Sequence, residues 1–252
     1  MNIALISDTH ANLEATERVL REIDNLKVDS VICLGDTVGY GPDPDEVARL
    51  CRENSTIAVL GNHDYAVLNA FIHPERKSQI LSRFSITARN AIIWTINTVS
   101  PKTVDYLAKL PLEKHWKGLH IVHASPGFPE DWEYIYDSQT AEPYMNYVKG
   151  WAALIGHTHV PAIFRKFLGG IEHIEPEPFR TYNLKKDDIY ILNPGSAGQP
   201  RDGDNRASMA LLDIEERTFR VLRLEYDYRT TQEKILNAGL PEILATRLSS
   251  GT

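Results

Sequence analysis

The 252-residue chain has two cysteines, no apolar stretch of membrane-spanning length, no basic cluster longer than Lys185-Lys186 and no Pro/Gly/Ser-rich linker. Each absence excludes something. Cys33 lies inside an apolar run and Cys51 in a helical pattern, without the CxxC spacing of a thiolate metal site, so both are expected to be buried and structural. A membrane span needs about 18 consecutive apolar residues, which rules out a membrane protein of the helical kind. Met1 leads into an apolar run after one Asn, leaving no room for a leader peptide, and a cytoplasmic, soluble protein is expected. A formal charge of -7 with no basic patch argues against a stable nucleic-acid partner held through its phosphates. A small anionic substrate stays open, because bound cations reverse the sign of an acidic pocket locally. Without a linker, charge block or internal repeat, residues 1–252 read as a single domain.

What the chain does have is a set of short apolar runs that end in polar residues. They are IALISDTH (3–10), VICLGD (31–36), IAVLGNHD (57–64), LHIVHA (119–124) and AALIGHTH, which ends at His159. Runs of this length, bounded by Gly or turn residues, are expected to be strands buried on both faces. In open α/β sheets the crevice beyond the carboxyl ends of the strands collects the functional groups, here Asp8, His10, Asp36, Asn62, His63, His123, His157 and His159.

Helical patterns separate the runs. Asn12 is a candidate N-cap for residues 13–26, and Asp43, Pro44 and Glu46 form a capping-box signal for a second helix. A longer helical region covers 78–98, and Ser100-Pro101 opens another. After His159 the pattern changes to β-like segments at 162–167, 171–174, 189–192, 207–214 and 218–224. The last two form a hairpin around Glu215-Glu216, and Thr230 with Glu233 signals a C-terminal helix. This order predicts two sheets packed face to face with helices outside.

The residue types at the strand ends point to metal. Carboxylate, imidazole and amide donors without thiolate suit Mn, Fe, Zn, Co or Ni, and several imidazoles disfavour Mg or Ca. A carboxylate such as Asp36 can bridge two ions about 3.5–4 Å apart, which clamp the attacking and leaving oxygens of phosphoryl transfer.

Five blocks in order, DTH (8–10), GDTVGYG (35–41), GNHD (61–64), VHASP (122–126) and GHTH (156–159), make the chain resemble the calcineurin-like metallophosphoesterases. The resemblance implies an α/β fold, a four-layer αββα sandwich of two mixed β-sheets flanked by helices. It also implies two divalent transition-metal ions, with manganese the leading candidate. Matched residue by residue, Asp8, His10, Asp36 and His159 would hold the first ion, and Asp36, Asn62, His123 and His157 the second. His63 would protonate the leaving alkoxide or stabilise phosphoryl charge, and Asp64 would orient it. GDTVGYGPDPDEV and NPGSAGQPRDGD (193–204) resemble segments of a compact bacterial and archaeal branch grouped with diadenosine tetraphosphatases.

The implied reaction is phosphoester hydrolysis by a metal-bridging hydroxide, with a phosphodiester or dinucleoside polyphosphate as the small phosphorylated substrate. A serine/threonine phosphoprotein phosphatase or a phosphomonoesterase is the alternative. A non-catalytic scaffold on this fold, like the retromer scaffold subunit, is the alternative of another class, but no ligand and no His63 counterpart is missing. A homo-oligomer stays open. Candidate substrate contacts are Asn12, Tyr40, Asn193, Ser196, Arg201 and Arg206. Each has a plainer reading: Asn12 as a helix cap, Tyr40 as packing, Arg201 as a solvated turn residue. The aromatic-rich span 132–147 is either a lid or core. His73, His115, His120 and His173 match no block, and His120 is expected to be structural.

Overall fold

The computed structural model describes residues 1–252, and its apolar runs form the centre of two six-stranded mixed sheets. The first sheet runs β3 (Ile57–Ala58), β2 (Ser30–Cys33), β1 (Asn2–Ile6), β11 (Ala207–Asp213), β12 (Thr218–Leu224) and β9 (Thr181–Asn183). The second runs β4 (Glu113–Trp116), β5 (Leu119–Val122), β6 (Ala152–Leu154), β10 (Ile189–Pro194), β7 (Pro161–Phe167) and β8 (Gly170–Ile174). β1, β2 and β3 are mutually parallel, as are β5, β6 and β10, whereas the remaining pairs are antiparallel.

Alternation along β1 divides the core. Ile3 and Leu5 face the second sheet, meeting Leu119, Ile121, Leu154 and Leu192. Ala4 and Ile6 point the other way, into the layer of α1 (Leu13–Leu26), α2 (Pro44–Asn54), α3 (Asn62–Ile72), α4 (Lys77–Leu81), α5 (Ile86–Thr98) and α6 (Pro101–Leu107). On the far side, α7 (Ser138–Met145) covers the second sheet through Ala141 and Met145 against Phe164 and Ile191. The result is the αββα sandwich expected from the resemblance. α8 (Tyr228–Asn237) and α9 (Glu242–Ser250) add a corner, packing Ile235, Leu244 and Leu248 on Ala88, Ala91 and Tyr40. No helix is long and apolar enough to cross a membrane. Cys33 and Cys51 are free and buried.

Several local expectations are corrected. The helical region at 78–98 is broken, because the Ser85 hydroxyl accepts the Ala88 amide and starts α5 afresh while Arg89 donates to the Leu81 carbonyl left over from α4. Pro44 opens α2 as expected, but Asp43 makes no cap bond. Its carboxylate meets Lys234 Nζ at 2.9 Å, and Glu46 pairs with Arg49 instead of closing a capping box. The cap of α8 is Asp227, which accepts from the Thr230 amide and hydroxyl, not Thr230 itself. Asn12 does cap α1, its side chain accepting from the Ala15 amide at 3.1 Å.

Candidate active site

The carboxyl ends of β1, β2, β5 and β6, with the turn after β3, deliver Asp8 and His10, Asp36, His123, His157 and His159, and Asn62 to one edge of the sandwich. All seven are buried, Asn62 the least so at 8%. Tight turns are needed to aim them. Asp8, His10, Asp36, His157 and His159 have φ of 51°, 45°, 51°, 68° and 61°. Left-handed backbone costs a residue with a Cβ roughly 1–2 kcal/mol, and such strain persists where surrounding structure dictates it. Glycine relieves the crowding at two points: a Cβ on Gly61 would collide with Asp36, and one on Gly39, at φ 88°, would collide with His63.

The imidazoles are oriented by backbone carbonyls. His10 Nδ1 donates to Val38 O (3.1 Å), His123 Nδ1 to Leu34 O (2.7 Å), His159 Nδ1 to Gln199 O (2.6 Å) and His157 Nε2 to Trp132 O (2.9 Å). A carbonyl only accepts, so a proton lies on each of those nitrogens, and in the neutral, metal-binding form of each ring the opposite nitrogen carries the lone pair. Those lone pairs converge. His10 Nε2 and His159 Nε2 are 3.2 Å apart, and Asp8 Oδ1 is 3.3 Å from His159 Nε2 and 3.8 Å from His10 Nε2. Asp36 Oδ2 lies between two groups, 3.6 Å from His10 Nε2 and 3.4 Å from His123 Nε2, which in turn is 3.2 Å from Asn62 Oδ1.

Acceptors facing acceptors are repulsive unless a cation lies among them, and Asp8 Oδ1 is buried with no hydrogen-bond donor at all. The donor set therefore fits divalent metal. Two groups, Asp8/His10/His159 and Asp36/His123/His157, each hold their ligand atoms within 4.8 Å of one another. Asp36 stands at their junction.

Electrostatics keep most of these groups in ligating form. Burial holds His10 and His159 well below the ordinary imidazole value and lowers His157 to about 3. Burial also opposes ionisation of Asp36, but the His123, His63 and His10 imidazoles outweigh it and hold the carboxyl well below its usual range. For His123 the same burial is outweighed by Asp36 and Asp8, which lift it to about 10.

His63 follows Asn62 in the first turn of α3 and has a different environment. Its amide donates to Asp36 Oδ1 at 2.8 Å, and its ring packs against Tyr40 (4.4 Å between centroids), His10 (4.8 Å) and Phe84 (5.3 Å). Nδ1 is buried and has no partner, and burial lowers the group to about 4. Asp64 does not orient it. The Asp64 carboxylate is engaged by three backbone amides, those of Val38 (3.0 Å), Thr37 (3.1 Å) and Gly61 (3.2 Å), so it ties the 35–41 loop to α3.

A cleft of about 640 Å³ opens beside these residues. Tyr40, Asn62, His63, His157 and Arg201 line its floor, and Tyr65, Phe84, Trp132 and Tyr134 line its walls. Arg201 stands 5.6 Å from the Tyr40 ring with a buried Nε that has no partner. Arg76, Arg83 and Arg247 add charge to the rim. Arg247 lies on α9, far in sequence from any motif, and only the tertiary fold reveals it.

Four of the six candidate substrate contacts are corrected. Asn193, fully buried, donates to Gly156 O and Thr158 Oγ1 while its Oδ1 accepts the Gly195 amide. Ser196 donates to Asp8 O at 2.8 Å and accepts the Gln199 amide. Asn12 spends its amide on Gly198 O. These three lock together the turns that carry Asp8 and His157–His159 and have no group left over for substrate. Arg206 makes a bidentate pair with Asp204 and does not line the cleft. His120, as expected, is structural: Nδ1 accepts the Lys149 amide and Nε2 donates to Glu113 at 2.9 Å.

Residues 1–217 match the model of the calcineurin-like phosphoesterase superfamily domain. An uncharacterized protein of Methanocaldococcus jannaschii is 38% identical over 253 residues, covering 99% of this chain and 98% of that one. The crystal structure of a metallophosphoesterase from Sphaerobacter thermophilus superposes with a TM-score of 0.87 at 37% identity, covering 100% of this chain and 99% of that one. A symmetrical bis(5'-nucleosyl)-tetraphosphatase of Delftia acidovorans is 37% identical over 133 residues, 49% of this chain and 44% of the relative. The chain belongs to the calcineurin-like phosphoesterase superfamily and is a metal-dependent phosphoester hydrolase.

Proposed function

We propose that this hydrolase cleaves a phosphodiester or phosphoanhydride bond in a small nucleotide-like substrate, using a dinuclear centre filled by manganese in preference to iron, zinc, cobalt or nickel. One observation carries the reading. Two groups of metal-grade side chains meet at Asp36, and Asn62 and His157 carry them to the floor of a cleft walled by aromatic rings and rimmed by arginines. Asp8, His10, Asp36 and His159 would hold one ion, and Asp36, Asn62, His123 and His157 the other. When bound, the ions supply positive charge that polarises the phosphoryl group and activates water.

The chain's own residues do the rest. His63 lines the cleft floor and makes no hydrogen bond through its ring, so the imidazole can donate to the leaving oxygen or to a phosphoryl oxygen. Arg201 has a free Nε and the planar geometry to hold a second phosphate oxygen. Tyr65, Trp132, Tyr134 and Phe84 give the walls flat apolar surface suited to a base. The likeness to a bis(5'-nucleosyl)-tetraphosphatase over half the chain supports this substrate class.

The test is a panel on metal-stripped protein reconstituted in turn with Mn, Zn, Fe, Co or Ni. A dinucleoside polyphosphate and bis(p-nitrophenyl) phosphate should be turned over faster than a phosphopeptide, and a preference for the phosphopeptide refutes the substrate class. Asp36→Asn should lose both ions and turnover, and full metal content with normal activity in that variant sinks the mechanism. His63→Ala should keep its metals while kcat falls about 10²–10⁴-fold.

A further inference from the structure

We propose that residues 125–137, the irregular segment between β5 and α7, act as a positioning arm for the half-site of Asp36, Asn62, His123 and His157, and not for the other half. The proposal rests on the dinuclear reading and adds a control element to it.

Three of the four carbonyls that orient these imidazoles belong to buried turn residues, Val38, Leu34 and Gln199. The fourth, Trp132 O, belongs to a partly exposed stretch with neither helix nor strand. It also grips the opposite nitrogen. His10, His123 and His159 are bound through Nδ1 and present Nε2 to the centre, whereas His157 is bound through Nε2 and presents Nδ1. Trp132 reaches this position at φ 55°, a strained conformation for a bulky residue, and the neighbouring side chains hold it there. Its ring contacts Tyr65 (5.6 Å) and stands edge-on to His123 (6.1 Å).

Two residues on, Tyr134 stacks on the His157 ring with centroids 4.0 Å apart at 18°, and Tyr136 stacks on Tyr134 at 5.4 Å and 6°. Ile135 between them is 2% exposed and anchors the segment in the core beneath α7. The arm thus fixes His157 twice, by proton position and by ring plane, and touches His123 as well. His10 and His159 are oriented from other loops. Tyr134 also lines the cleft, so whatever enters the cleft meets the residue that seats His157.

Partners that orient a metal-ligating imidazole are worth 10–100-fold in metal affinity. The experiment is calorimetric titration of metal-stripped wild type, Tyr134→Ala and Tyr134→Phe with Mn²⁺, with the melting temperature of each apoprotein measured alongside. Wild type should bind two ions in resolvable steps. Tyr134→Ala should weaken one step by about tenfold and leave the other unchanged. Tyr134→Phe, which keeps the stacking ring, should restore the wild-type isotherm. Both steps moving together, or neither, overturns the arm while leaving two-ion binding intact. A wild type that takes up a single ion overturns the dinuclear reading and the arm with it.

Discussion

Replacing Asp64 separates an anchoring role from a catalytic one. Its carboxylate is fully buried and accepts from the Thr37, Val38 and Gly61 amides, at 3.0 to 3.2 Å. In Asp64→Ala those three donors lose their acceptor in a place water does not reach. An unsatisfied buried amide costs about 1–3 kcal/mol. Removing a buried carboxylate next to Asp36 also relieves desolvation and repulsion, the two influences that raise Asp64 to about 7. The net loss is therefore expected near the low end, about 4 kcal/mol for the three amides together. At about 2–4 °C per kcal/mol for a domain of this size, the melting temperature should fall by about 8–16 °C. Asp64→Asn keeps one acceptor oxygen but turns an amide donor toward the third N–H, so it should retain only part of the loss. The assay is thermal unfolding by circular dichroism with turnover measured on the surviving folded fraction. A variant that melts within about 2 °C of wild type yet has lost its turnover would refute the anchoring argument and return Asp64 to catalysis.

Two further outcomes follow from local geometry. Lys27 ends α1 at φ 49° and is exposed, so Lys27→Gly should stabilise by about 0.5–1 kcal/mol, raising the melting temperature by a few degrees in the same scan. Burial lowers His120, and the His120 contact helps lower Glu113 against its own desolvation. Both folded values lie below the ordinary ones, so both contributions are present above the ordinary values and are lost as pH falls through the depressed ones. Denaturant midpoints taken from about pH 7 down to about pH 4 should therefore decline, and the slope should flatten in a Glu113→Gln/His120→Gln double variant. An unchanged slope in that variant defeats the assignment.

The parts of this molecule that were legible in sequence are those where one local signal decides the outcome. An apolar run ending in Asp8, Asp36 or His123 is a strand with a buried, metal-grade side chain beyond it, because burial on both faces demands the run and the crevice demands the polar end. What stayed hidden depends on distant partners. β4 (Glu113–Trp116) is polar in sequence and is a strand only because β5 supplies its ladder. α7 carries Pro143 in its interior and forms because Asp137 caps it and Ala141 and Met145 find the second sheet. Asp43 looked like a cap until Lys234, 191 residues on, took its carboxylate. At the site, residue type and order carried which side chains converge. Substrate contact depended on which side chains were already spent, and Asn193, Ser196 and Asn12 are spent on the turns themselves.

β1, the first strand of the chain, lies between β2 and β11, and the amides of Ala197 and Gly198 donate to Ser7 O and Asp8 O in the turn that follows it. During synthesis the ribosome emits Asp8 long before the residues that finish its turn. A nascent chain holding the segments through His159 has every proposed ligand in covalent sequence but lacks the strand that closes one flank of β1. Loop-closure entropy over roughly two hundred residues must be met before that flank forms, which places assembly of the centre among the last folding events. Truncated products of interrupted translation, ending before β11, should accordingly be incompetent for hydrolysis, so the topology withholds phosphoester hydrolysis until the chain is nearly whole.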